Sequence, residues 1–179
     1  MNAIPRTINN PVTGERIEFL RTDEDRLEFE MQLTPDGTVP GAHVHPEQEE
    51  RFHVLEGTMR FRLGMRTIVA AAGETVVVPA GRVHKFANGG DTTARVRVEV
   101  EPALDMEDLL TTTAELAHEG NVLASGMPRP LHLALFVRRF RREVRAPFPP
   151  AWVVTATTAP LAALARKRGH AERYAPAAA

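Results

Sequence analysis

The stretch that decides the fold is Gly37-Thr-Val-Pro-Gly-Ala-His43-Val-His45-Pro-Glu-Gln-Glu-Glu50, which runs on to Gly57. It places two histidines one residue apart and a carboxylate five residues after the second histidine. On a β-strand, residues i and i+2 point to the same side of the sheet. His43 and His45 can therefore offer two imidazoles to one point in space.

A second stretch carries a third histidine. It reads Gly73-Glu-Thr-Val-Val-Val-Pro79-Ala-Gly81-Arg-Val-His84-Lys-Phe-Ala-Asn88. His84 and Glu50 would complete a set of three imidazoles and one carboxylate, which suits one divalent metal ion such as Fe, Mn, Ni, Cu or Zn. Buried neutral histidines beside a carboxylate are hard to satisfy with hydrogen bonds alone, so we expect a bound metal.

The two stretches resemble the two cupin motifs, G-x5-H-x-H-x4-E-x6-G and G-x5-P-x-G-x2-H-x3-N, and every fixed position is occupied here. The fifteen residues between the motifs, 58 to 72, are typical of compact microbial cupins. The resemblance implies a small antiparallel jelly-roll barrel over roughly residues 10–102, with the metal inside. It implies the metal ligands His43, His45, Glu50 and His84. It does not imply one reaction, because cupins include dioxygenases, isomerases, epimerases, decarboxylases, polyketide-tailoring enzymes, storage proteins and sugar sensors.

Alternating apolar and polar residues support the barrel independently. Leu27, Phe29, Met31 and Leu33 share one face of a predicted strand, and the same alternation recurs at residues 59–63 and 95–101. Turn signals such as Pro35-Asp-Gly37 lie between these runs. The predicted fold class is mainly β, with a jelly-roll barrel (residues 10–102) and a C-terminal α-helical extension (residues 103–179).

The same alternation predicts what lines a substrate pocket. The candidates share strand parity with the metal ligands or face the barrel interior, and they are Phe52, Phe61, Arg82 and Phe86. An aromatic, aliphatic pocket suits a planar or hydrophobic small molecule. The alternative is that the phenylalanines simply fill a small barrel.

The chain after Pro102 is predicted to be helical. Residues 104–118 form an amphipathic helix that ends at Gly120, and a second helix begins near Pro130. A third runs from about Ala151 to Arg168, where Pro160 breaks or kinks it.

Charge separates these regions. Residues 1–102 carry 12 basic and 16 acidic residues, whereas residues 121–179 carry 10 basic and 2 acidic residues. We favour packing of the basic helices on the barrel or a partner over binding to anionic lipid at a membrane surface. Contact with nucleic acid is not expected, because no recognised binding fold or aromatic interleaving is visible.

Composition is that of a globular protein. The chain has 179 residues, 43% of them hydrophobic, a formal charge of −1 and no cysteine. The start of the chain lacks the pattern of a secretory signal, and no run of about 20 apolar residues is present. We expect a cytoplasmic protein.

The predicted function is metal-dependent turnover of a small organic molecule, with oxygenase chemistry first and Glu50 as a candidate base. The alternatives are a metal-assisted isomerase or cyclase of secondary metabolism and a cupin that binds small molecules without catalysis. Family resemblance also implies a homodimer. A cupin transcription regulator is disfavoured, because about ten residues before the first strand are too few for a DNA-binding domain.

Overall fold

The computed structural model describes residues 6–35, 37 and 41–175. Its strands are β1 (Arg6–Asn10), β2 (Glu15–Thr22), β3 (Leu27–Leu33), β4 (Glu49–Glu56), β5 (Thr58–Leu63), β6 (Arg66–Ala71), β7 (Thr75–Val78), β8 (His84–Asn88) and β9 (Ala94–Glu101). Asp36 of the predicted turn at residues 35–37 lies outside the described residues. Residues 1–5, which belong to the stretch expected to carry no secretory signal, lie outside them as well.

The strands form two antiparallel sheets. The larger has the order β1-β2-β3-β9-β4-β7 and the smaller the order β6-β5-β8. Strand β3 pairs with β9 along its whole length, from Leu27 opposite Val100 to Leu33 opposite Ala94. The mainly β fold class that the sequence predicts is confirmed, including the helices that follow the barrel.

The core lies where the apolar faces of these strands meet. On β3 every second residue is buried, as the alternation of the sequence predicts, and on β9 the three alternate valines Val96, Val98 and Val100 are fully buried. Burying a side chain of this size contributes about 1.5–3 kcal/mol. The β3 and β9 strands are therefore held to one register, because a shift of one residue would turn these side chains outward.

The helices are α1 (Met106–His118), α2 (Pro130–Arg139), α3 (Ala151–Thr157) and α4 (Ala159–Lys167), followed by a short 3-10 turn (Glu172–Tyr174). The predicted third helix is divided at Thr158 into α3 and α4. Pro160 lies in the first turn of α4, where its missing N–H costs no helical hydrogen bond. Ala134 and Phe136 of α2 and Ala162 of α4 belong to the same buried cluster as the strands. Across the described residues, no helix combines the length and apolar character that crossing a membrane requires.

A sharp turn between β4 and β5 depends on Gly57. Its φ is +74°, and a Cβ placed on it would lie 3.0 Å from the Ala94 Cα. Gly73 also has a positive φ, +89°, but a Cβ there would meet no atom within 4 Å. An alanine at Gly73 would therefore suffer backbone strain alone, whereas an alanine at Gly57 would suffer backbone strain and a close contact with Ala94.

We expect Gly57→Ala to destabilise the protein more than Gly73→Ala does. The left-handed conformation alone costs a non-glycine residue about 1–2 kcal/mol, and only Gly57→Ala adds the contact with Ala94. Chemical denaturation of the two variants beside the wild type measures both costs. Equal losses of unfolding free energy would contradict the role given to the close approach.

The outer face of the large sheet carries ion pairs. Glu30 of β3 accepts hydrogen bonds from Arg95 Nη1 and Arg97 Nη2 of β9, each at 2.9 Å. Partial burial alone would raise the pKa of Glu30, but the hydrogen bonds and charges of the two arginines outweigh it and hold the pKa below its usual value of 4.5.

This shift predicts a contribution to acid unfolding. The unfolded chain takes up the Glu30 proton at higher pH than the folded chain, so the stabilisation is complete above about pH 4.5 and is lost as the pH falls through the folded pKa. Glu30→Gln should flatten the dependence of unfolding free energy on pH in this acidic range. Glu24→Gln, at an exposed position outside this ion-pair network, is the control and should leave the curve unchanged.

Candidate metal centre

The segment before β4 holds the first two histidines. It is extended but forms only single bridges: His43 pairs with His84 through two backbone hydrogen bonds of 2.9 and 3.0 Å, and Val44 pairs with Arg145. His43 and His45 lie on either side of Val44, and their rings are 4.9 Å apart between centroids. The strand geometry assumed from the sequence therefore holds locally, although β4 itself begins at Glu49.

The other two side chains come from regular strands. Glu50 lies on β4, opposite Val78 of β7 and Val100 of β9. His84 begins β8, directly after a turn that the Arg82 N–H closes on the Pro79 carbonyl at 3.1 Å. The Gly81 N–H of this turn donates to the His45 carbonyl at 2.7 Å, which ties the two motifs together.

The structure brings His43, His45, Glu50 and His84 together. One ligand atom from each residue lies within 4.8 Å of every other. Glu50 Oε2 is 2.9 Å from His84 Nε2 and 3.4 Å from His45 Nε2. Neighbouring ligands at about 2.1 Å from one metal ion are about 3.0 Å apart, so these two separations are compatible with atoms that share a metal ion.

Each histidine has its other ring nitrogen engaged by a backbone carbonyl. Nδ1–H of His43 donates to the Gly41 carbonyl at 2.9 Å, and Nδ1–H of His84 donates to the Arg82 carbonyl at 3.0 Å. Nδ1–H of His45 donates to the carbonyl of Glu143, 98 residues further along the chain. Because a carbonyl can only accept, these bonds place the Nδ1 proton and leave the Nε2 lone pair available for a metal.

Three buried atoms that face the centre of the cluster have no hydrogen-bond partner in the described part of the chain. They are His45 Nε2, His84 Nε2 and Glu50 Oε2, on side chains that are almost fully buried. Unpaired buried acceptors are costly, and three of them around one point repel one another. A divalent cation removes that cost, so the residues present fit a metal ion.

The electrostatics of the site favour an ionised carboxylate. Burial alone would raise the pKa of Glu50, but the three neighbouring histidines outweigh it and lower the pKa to about 2. Partial burial, with the neighbouring imidazoles, lowers the pKa of His43 to about 4. Burial would also lower the pKa of His84, yet the Glu50 carboxylate raises it above its usual value. The Glu50 carboxylate is therefore ionised at neutral pH, as a cation site requires.

The predicted pocket residues differ in burial: the three phenylalanines are buried, whereas Arg82 is exposed. Phe52, Phe61 and Phe86 are buried and pack on one another, with ring centroids 5.1 to 6.4 Å apart. Phe52 follows Glu50 by two residues and Phe86 follows His84 by two, so this aromatic layer lies along the same strand faces as the ligands. This aromatic layer fills the barrel interior, which is the alternative to a substrate pocket that the sequence left open.

Arg82 does not face the interior. It is exposed, and it lies in the turn before β8, where the alternation of a strand does not apply. Its backbone carbonyl, which accepts from His84, is the part of Arg82 that contributes to the site. The expectation that its side chain lines the pocket was wrong for this reason.

Sequence reasoning missed Glu143. Its side chain is 1% exposed and its carbonyl orients His45. Any residue type has a backbone carbonyl, so no residue pattern could have indicated this contact. A single acidic residue in the basic stretch of residues 129–168 was the only visible signal.

The comparisons with known proteins agree with this geometry. A family model described as Cupin domain matches residues 29–101, which include all four ligands. An uncharacterized protein of Streptomyces coelicolor is 34% identical over 73 residues, which are 41% of this chain and 67% of that protein. The chain belongs to the cupin family, and the prediction made from the two motifs is confirmed.

A second relative matches over less than half of its own length. Polyketide synthase CurC of Streptomyces cyaneus is 33% identical over 60 residues, which are 34% of this chain and 39% of that protein. The chain therefore spans well under two thirds of this relative.

Solved structures show the same fold. An RmlC-like cupin from Shewanella frigidimarina has a TM-score of 0.51 and 16% identity, and the match covers 57% of this chain and 88% of that chain. A sugar phosphate isomerase of the cupin superfamily from Silicibacter pomeroyi has a TM-score of 0.50 and 20% identity, with 54% and 71% covered. At these identities the likeness concerns the fold.

Protein purified without chelator should carry about one divalent metal ion per chain. The double variant His43→Ala, His84→Ala should lose it, because two of four ligands are removed. His53→Ala is the matched control, since His53 lies on β4 but its Nδ1 contacts the Thr75 hydroxyl on the other face. Elemental analysis measures all three. Equal metal content in wild type and double variant would place the metal elsewhere.

Proposed function

We propose that this cupin is a mononuclear metal-dependent enzyme that acts on a small organic molecule, with oxygenase chemistry. The observation that carries the proposal is the set of four converging side chains, three of which have an inward atom without a hydrogen-bond partner among the described residues. Three imidazoles and one carboxylate leave coordination positions for a substrate and for dioxygen. When bound, the metal would supply Lewis acidity and, if it is redox-active, electron transfer to oxygen.

The protein's own residues define how a substrate reaches this site. His45, Glu50 and His84 are buried, whereas His43 is only partly buried. The interior beyond the ligands is filled by the phenylalanine layer of Phe52, Phe61 and Phe86. A substrate therefore approaches from the side of His43 and meets an apolar floor, which favours planar or hydrophobic molecules over free sugars.

The relatives support a substrate class. The likeness to Polyketide synthase CurC supports a polyketide-like compound, in which phenolic or β-dicarbonyl oxygens offer the pair of donors that a metal with open positions accepts. The structural likeness to the sugar phosphate isomerase concerns the fold and does not favour isomerisation.

Glu50 has two proposed roles, as a metal ligand and as a base. Its carboxylate is ionised throughout the physiological pH range, because its pKa is about 2. A carboxylate of such low pKa is a weak base, so it can take a proton only from a group that the metal has already made acidic. The ligand role is therefore the one that its electrostatics support more strongly.

We expect wild-type protein with its metal to consume oxygen in the presence of a phenolic or β-dicarbonyl compound. Glu50→Gln keeps an oxygen at the same position but removes the charge and the basicity, and should lower turnover by about 10²–10⁴-fold. Measuring metal content of the same samples separates the two roles of Glu50. A variant that retains the metal but not the turnover has lost the base, and one that loses both has lost a ligand. His53→Ala again serves as the control.

The alternatives give different outcomes in the same assay. Product formation without oxygen consumption would replace the oxygenase by a metal-assisted isomerase or cyclase. Saturable binding of the compound without turnover would leave a ligand-binding cupin. Two predictions about partners, a homodimer and contact of the basic helices with anionic lipid, stay predictions.

A further inference from the structure

The helical extension reaches into the metal centre at one point. We name residues 139–145, the end of α2 and the turn that follows it, the clasp segment. We propose that the clasp segment positions His45 for metal binding, with Glu143 as the positioning residue. This inference rests on the proposed metal-dependent function, because it assigns a task to residues around the same ligands.

His45 differs from the other two histidines in where its acceptor comes from. The carbonyls that hold His43 and His84 belong to Gly41 and Arg82, each two residues before the histidine it holds. The carbonyl that holds His45 belongs to Glu143, far outside the residues 29–101 matched by the cupin family model. The matched cupin domain alone therefore lacks the acceptor that fixes the tautomer of His45.

The clasp segment is aligned with the ligand segment by backbone pairing. Val44 N–H donates to the Arg145 carbonyl and Arg145 N–H donates to the Val44 carbonyl, both at 2.9 Å. Val44 stands between the two histidine ligands, so this pairing fixes the backbone on both sides of it. The bridge also sets the distance at which the Glu143 carbonyl meets the His45 ring.

Side chains on both sides of Glu143 tie the clasp segment to two other parts of the chain. Arg142 donates to Glu47 through Nε and Nη2, at 3.0 and 2.8 Å. Arg139 donates to Asp105 at 2.5 Å and to Asp108 at 3.2 Å. The exposed Arg142 pair contributes little by itself. It ties the segment to the loop between His45 and β4, whereas the Arg139 pairs tie it to the start of α1.

Glu143 is the buried centre of this arrangement. Its Oε1 accepts from the Asp105 N–H at 3.3 Å, and its Oε2 has no hydrogen-bond partner among the described residues. Placing a glutamate in the interior is costly, and the positive charges of Arg139 and Arg142 oppose that cost. In this position the side chain of Glu143 anchors the backbone of residue 143, so that its carbonyl points at His45.

The test compares two pairs of variants in the full chain. Arg145→Pro removes the N–H that donates to Val44, and Arg145→Ala removes the same side chain but keeps that N–H. Their difference measures the loss of this backbone pairing, together with the restriction of φ that proline imposes. Glu143→Ala removes the anchor, and Glu143→Gln keeps an oxygen for the Asp105 N–H. The second pair keeps the proposal testable if the proline variant does not fold.

The first readout needs no metal. In nitrogen-15 NMR of metal-free protein, His45 should carry its proton on Nδ1 and exchange it slowly. Arg145→Pro and Glu143→Ala should mix the His45 tautomers and speed proton exchange, while the signals of His84, held by Arg82, stay as in the wild type. Glu143→Gln should keep the wild-type signals of His45.

The second readout is binding of Co²⁺, whose visible spectrum reports its ligands. Loss of the contact that orients a metal-bound histidine typically weakens affinity by about 10–100-fold, and we expect this loss in Arg145→Pro and Glu143→Ala. A thermal unfolding curve of each metal-free variant shows whether the fold itself has changed.

The outcomes separate the two proposals. Unchanged His45 signals in both disruptive variants would overturn the clasp, as would equal changes at His43, His45 and His84, which would mean general support of the fold. A wild type that binds no Co²⁺ but holds His45 in one tautomer, lost in Glu143→Ala, would overturn the metal-dependent function and leave the positioning of His45 established.

Discussion

Three backbone carbonyls determine the state of the metal centre, because each takes the Nδ1 proton of one histidine. A neutral imidazole has one proton and one lone pair, so fixing the proton on Nδ1 fixes the lone pair on Nε2. If the proton moved to Nε2, the same ring would present a donor to a cation and could not bind it. The geometry of the four side chains therefore has chemical meaning only while the carbonyls of Gly41, Arg82 and Glu143 stay in place.

The fold supplies these carbonyls from three different parts of the chain. One comes from the loop before the first histidine, one from the turn before β8 and one from the turn after α2 in the helical extension. The bridge between His43 and His84 and the bond from Gly81 to His45 lock the first two parts together. The rigid apolar layer beneath them, with Phe52 and Phe61 fully buried, prevents the strands from relaxing around the site. Barrel and extension thus form one scaffold for the centre.

The sequence predicts those features that depend on side-chain type and spacing. His43, His45, Glu50 and His84 could be read from it, because metal ligands must be of particular chemical kinds and the period of a strand relates i to i+2. Arg82 could not be placed, since strand alternation was extended into a turn. The carbonyl of Glu143 could not be found either, because a backbone group is common to every residue and its partner lies 98 residues away. The division of the third helix near Pro160 was predictable because proline lacks the donor that a helix interior needs.

The long separation in sequence between His45 and Glu143 has a consequence for the order in which the site is synthesised. Chains emerge from the ribosome with the N-terminal part first, and domains fold as units during synthesis. The strands of the barrel are complete at Glu101, when Glu143 has not yet been added. The carbonyls that accept from His43 and His84 belong to that N-terminal part, whereas the carbonyl that accepts from His45 does not. The acceptor that fixes the tautomer of His45 is therefore the last of the three to be synthesised.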